Sequence, residues 1–114
     1  MDIVNIIFAL FSIGLGLFGW LAPRYTMEVV GLEAKDAMGP SEIRAASGAL
    51  FIGLGVGALV LNTPAAYAMI GYAWGFAAIG RLTSIVLDGA TQKKLTFFVV
   101  EAAVGIGAIW FNLA

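Results

Sequence analysis

Four apolar stretches, each close to the length that crosses a bilayer, dominate this chain, and one long polar segment separates the first from the others. The first runs from Ile3 to Leu21, close to the ~20 residues needed to cross about 30 Å of hydrocarbon at about 1.5 Å per residue. A secretory signal would need a basic start and a small-x-small cleavage site. Here Asp2 is the only charged side chain before the run, and Trp20, Leu21, Ala22, Pro23 offer no such site. The run is expected to be a helix with Trp20 at a membrane interface. Residues 22–41 hold Arg24, Glu28, Glu33, Lys35 and Asp36, with turn signals at Gly31 and at Gly39 and Pro40. They read as a polar loop, and Tyr25 to Leu32, with Met27, Val30 and Leu32, is compatible with a short interfacial helix inside it.

The second helix is expected over residues 42–61, with Ser41 as N-cap and Glu42 complementing the positive end of the helix dipole. Ala45, Ala49, Gly53 and Gly57 recur every four residues along it, a small-residue seam that lets another helix approach closely. Asn62, Thr63 and Pro64 make a short turn into a helix over 65–87, which carries a second such pair, Gly71 and Gly75. Arg81, Ser84 and Asp88, spaced by three and four, share one face of that helix. A loop over 88–94 leads to the last helix, 95–113, with Trp110 near its far end. The pattern predicts one all-α domain over residues 1–114, a polytopic membrane protein built as a compact antiparallel four-helix bundle.

Composition agrees: 61% of residues are hydrophobic and 11% charged, against about a quarter charged in soluble domains. The net charge of −1 gives no sign of a nucleic-acid partner. The chain has no Cys and no His, which removes thiol redox chemistry and metal or haem sites built on those ligands, so no cofactor or metal is expected. The lipid bilayer is the expected partner, with the small-residue seams suited to a membrane-protein partner or a homo-oligomer.

Two charges interrupt the apolar runs. Arg81 lies ten residues before Thr91 and Glu101 ten after it, so an antiparallel hairpin brings both to one depth, roughly 10 Å below the turn. They are expected to pair, because an unpaired charge in that setting costs several kcal/mol. With Glu42, Arg44, Ser84 and Asp88 they form a candidate polar cluster at one end of the bundle. Such a cluster can be a structural lock, a ligand pocket, a docking site or an ion pathway. Glu42, Lys93 and Lys94 also suit caps and interface anchors, whereas Asn5, Ser12 and Asn112 are too isolated to form a site. Every basic residue falls before, within or after residues 22–41 and 88–94 on one side of the bundle. The positive-inside rule places those segments in the cytoplasm and the termini outside.

The run Gly39, Pro40, Ser41, Glu42, Ile43, Arg44, Ala45, with Gly80, Arg81, Leu82, Thr83, Ser84 and then Asp88, Gly89, resembles the signature of small bacterial four-helix membrane proteins known only as a domain of unknown function. In layout these are similar to DoxX-like proteins. The resemblance covers Gly39 to Gly89 by motif and the remainder by helix count. It implies an inner-membrane protein with Glu42, Arg44, Arg81 and Asp88 as characteristic polar positions, and it implies no activity. DoxX relatives include subunits attached to oxidoreductases.

The leading expectation is a non-catalytic accessory or assembly subunit, or a small-ligand binder, since four short helices leave little volume for a catalytic cavity. A small oligomeric ion- or proton-coupled transporter comes second, because polar residues do not continue across the far half of the span. Third is an intramembrane enzyme using Glu101 with Glu42 or Asp88 on a lipid. The orientation is checked by labelling Gln92→Cys with an impermeant thiol reagent: reaction is expected only when the cytoplasmic face is open, and labelling from outside inverts the topology.

Overall fold

A computed structural model describes residues 2–114, which form five helices and no strand. Helix α1 spans Ile3–Leu21, and the Asp2 carboxylate caps it by accepting from the Val4 N–H at 2.9 Å. Pro23 then opens α2, Pro23–Val30, where its missing N–H is harmless and its fixed φ suits a first helical position. Gly31 closes α2 in the left-handed conformation at φ 80°, and the Leu32 N–H reaches back to the Met27 carbonyl at 2.8 Å. The polar loop expected over 22–41 is thus shorter, with helix from Pro23. Of Met27, Val30 and Leu32, Met27 is buried while Val30 and Leu32 are exposed.

Helix α3 runs over Met38–Leu61, four residues earlier than the expected start. Ser41 is not its N-cap: the Ser41 N–H is already bonded to the Ala37 carbonyl, and the Asp36 carboxylate accepts from the Met38 N–H at 2.9 Å. Glu42 therefore sits past the first turn rather than at the dipole's positive end. The reason is Pro40, which reads as a breaker but lies in the first turn, where no intrahelical N–H is required of it. Residues Ile43–Ala49 wind as π-helix before α-helix resumes over Leu50–Leu61. Helix α4 spans Pro64–Asp88 and α5 spans Gln92–Leu113, each wider than expected because Thr63 and Thr91 cap them, accepting from Ala66 and Lys94 N–H groups at 3.2 Å.

The chain divides into two units, Asp2–Val60 and Leu61–Ala114. In the first, α1 and α3 run antiparallel with backbones in close approach. A methyl on Gly16 would stand 2.7 Å from the Gly48 carbonyl oxygen, one on Gly19 2.6 Å from that of Ser47, and one on Gly55 2.5 Å from that of Ala9. Gly48 in turn abuts the backbone of Trp20. Fully buried Ser12 adds a polar tie, its hydroxyl donating to the Phe51 carbonyl at 2.8 Å. Gly53 and Gly57, half of the expected seam, carry none of this packing: a methyl on either would meet nothing within 4 Å. Helix α2 is tied to α1 through Phe18 and Tyr25, whose rings lie 6.2 Å apart.

The second unit is a hairpin of α4 and α5. Tyr67, Ile70, Gly71, Trp74 and Ala78 recur every three or four residues on the buried stripe of α4 and meet Val104, Gly105 and Ala108. A methyl on Gly71 would lie 2.7 Å from the Gly105 carbonyl oxygen, and one on Gly105 2.6 Å from Gly75 Cα. At the turn before α4, Asn62 takes φ 51° and its side-chain oxygen accepts from the Tyr67 hydroxyl at 3.0 Å.

Helices α1, α3, α4 and α5 are each long and apolar enough to cross a membrane. Their outer faces are apolar too, with Ile3, Val60, Leu87 and Trp110 more than two-thirds exposed, which suits a lipid surround and not water. Gly105→Ala forces α4 and α5 apart and is expected to destabilise the protein by about 1–3 kcal/mol in detergent melting. Gly57→Ala meets open space and is expected to be neutral or to stabilise by up to about 1 kcal/mol. Equal effects of the two would contradict the packing.

Candidate functional site

The hairpin holds one closed ion pair. From α4, the Arg81 guanidinium donates through Nε to Glu101 Oε1 and through Nη2 to Oε2, both at 3.1 Å. The fork geometry matches the carboxylate, so both oxygens and two nitrogens are engaged. Phe97 lies four residues before Glu101 on the same face of α5, and its ring sits 5.2 Å from Arg81 Cζ. The Arg81 and Glu101 side chains are 32% and 13% exposed, so the pair is sheltered on the carboxylate side. Equal spacing from the turn is what brings the two charges level.

Around this pair the polar groups of the hairpin also satisfy each other. The Ser84 hydroxyl donates to Asp88 Oδ2 at 3.2 Å, and Lys94 Nζ donates to the Gly89 carbonyl at 2.9 Å, closing the α4–α5 turn. Among the described residues no group of three or more acidic side chains is arranged to hold a metal ion.

Glu42 and Arg44 belong to the other unit. Glu42 is exposed at the junction with the π-helical stretch and makes no ion pair among the described residues. Arg44, inside that stretch, donates through Nη1 to the Trp20 carbonyl at 2.6 Å. That carbonyl belongs to the last turn of α1, where helix geometry leaves acceptors without intrahelical donors and the dipole favours a cation.

Arg44 also borders an open depression of about 530 Å³ whose wall includes Trp20, Arg24, Ser41, Ala45 and Ala49, with buried Pro40 at its base. Arg24 and the Ser41 hydroxyl make no hydrogen bond to the described residues, and neither arginine has a carboxylate within 4.0 Å, Glu28 included. Ala45 and Ala49, expected in a packing seam, keep the depression open by being small.

A family model described as "Domain of unknown function (DUF4345)" matches residues 1–112. The chain belongs to the DUF4345 family. No curated protein and no solved structure matches it.

In this DUF4345 protein, reasoning from sequence singled out Arg44 but missed Arg24 and Ser41 as its neighbours. Arg24 read as a loop charge, and Ser41 as a cap. The available signal was Pro23 directly after Ala22, a helix start that sets Arg24 four residues beyond Trp20. Arg81→Ala and Glu101→Ala are each expected to lower stability by about 1–3 kcal/mol, since each leaves a sheltered charge unpartnered. The exchange Arg81→Glu with Glu101→Arg is expected to recover only part of this, because it restores an opposite-charge pair at the same level but not the two-bond fork geometry. Unchanged melting of both single variants would contradict a structural lock.

Proposed function

We propose that this protein is a non-catalytic binding protein of the membrane, a small-ligand binder or accessory subunit, which holds an anionic group in the depression between Arg24 and Arg44. The observation that carries this reading is the contrast between two arginine sites. Arg81 has its carboxylate, and both Glu101 oxygens are taken up by the guanidinium, which leaves that pair without a free group for a ligand. Among the described residues the Arg24 side chain has no hydrogen-bond acceptor and no carboxylate within 4.0 Å, and Arg44 commits one N–H to Trp20. Guanidinium groups grouped without carboxylates repel one another, and an external anion removes that cost.

The setting we assign is a bacterial inner membrane with residues 22–41 and 88–94 on the cytoplasmic side, because the basic residues gather there. A DoxX-like layout fits an accessory role. Within residues 2–60 Gly53 and Gly57 pack against nothing, which suits them to the close approach of a further helix.

Native mass spectrometry of the protein taken gently from its own membranes tests the reading. A bound anionic molecule is expected on the wild type and lost in Arg24→Gln/Arg44→Gln, while Arg81→Lys retains it. Equal retention by the double variant, or a wild type that carries no anion, overturns it.

A further inference from the structure

We propose that the anion is the phosphate of an anionic phospholipid headgroup, held between Arg24, Arg44 and Ser41, an inference that rests on the binding reading above and names its ligand. Two observations point to a lipid. The depression lies where the apolar span of α1 ends, at exposed Trp20, an aromatic of the kind that settles at headgroup level. Its polar groups and its apolar wall are ordered along α3, with Ser41 and Arg44 followed by Ala45 and Ala49 toward the apolar part of the helix. A headgroup joined to acyl chains has that same order, polar then apolar, whereas a soluble anion has no use for the alanine wall.

The charges support the same ligand. Arg24 lies in the first turn of α2, where the helix dipole disfavours a cation, and no carboxylate of the described residues lies within 4.0 Å of it. A phosphate accepts through its several oxygens from planar guanidinium forks and from a hydroxyl. The depression, about 530 Å³, is open on one side, as a headgroup still joined to its acyl chains requires. Arg44 has a second duty at the end of α1, so its loss alters the wall as well as the charge. Arg24 and Ser41 have none, and they report on the ligand alone.

The test is lipid titration of the full chain in detergent, counting bound lipid by native mass spectrometry with phosphatidylglycerol, phosphatidylcholine and glycerol 3-phosphate as probes. The first phosphatidylglycerol is expected to bind at least tenfold more weakly to Arg24→Gln/Arg44→Gln than to wild type, and several-fold more weakly to Arg24→Gln or Ser41→Ala alone. Phosphatidylcholine, whose cation faces the arginines, is expected to bind all of them alike, and glycerol 3-phosphate is expected not to displace the lipid. Displacement by glycerol 3-phosphate overturns the lipid assignment and leaves anion binding standing. Equal phosphatidylglycerol binding by wild type and Arg24→Gln also overturns it, and the anion carried from native membranes, or its absence, separately decides the broader reading.

Discussion

Backbone contact at glycine is the constraint on which the rest of this structure depends. Among lipid tails no hydrophobic gain draws one helix to another, so association rests on dispersion contact and on polar ties across the gap. Gly48 against Trp20, and Gly105 against Gly71 and Gly75, let each helix pair close to backbone distance. Only at that spacing does Ser12 reach the Phe51 carbonyl, and only there does the Arg81 fork meet both Glu101 oxygens. Polar groups that would be costly in an apolar medium become cross-links because the glycines allow it.

The two units use their charges differently. In the hairpin, Arg81 and Glu101 pair with each other, Ser84 bonds to Asp88 and Lys94 to the Gly89 carbonyl, so its arginine is matched by a carboxylate. In the first unit, α1 ends beside Arg44, α2 begins beside Arg24, and the two cations meet an open space bounded by alanines and a tryptophan. Each arginine is placed by a helix terminus, so the basic depression follows from how α1 stops and α2 starts. The π-helical turns at Ile43–Ala49 contain Arg44, Ala45 and Ala49 as well as Gly48. One stretch thus serves both the depression and the tight approach to α1, consistent with the tendency of such turns to occur at functional positions.

Much of this was legible in the sequence. Four apolar runs of spanning length mark the four long helices, and the equal spacing of Arg81 and Glu101 about Thr91 marks their pairing. What the sequence hid has physical causes. Pro40 is a breaker in a helix interior but neutral in a first turn, so the local pattern points to a start at Glu42 with Ser41 as its cap, four residues after the actual start at Met38. A four-residue period puts Ala45, Ala49, Gly53 and Gly57 on one seam, whereas the i→i+5 winding of Ile43–Ala49 changes which residues share a face. The close approach consequently falls on Gly48 and Gly55, while Ala45 and Ala49 border the depression. Arg24 and Arg44 are twenty residues apart with a polar segment between them, and nothing local signals that the chain folds back to join them.

The most direct measurement of the central claim is ³¹P–¹⁵N dipolar coupling by solid-state NMR, with guanidinium-labelled protein in phosphatidylglycerol bilayers. The chain has three arginines, assigned through single Arg→Lys variants. The account predicts phosphorus contact at Arg24 and Arg44 and none at Arg81, whose fork is filled by Glu101. Contact at Arg81, or its absence at both Arg24 and Arg44, would contradict it.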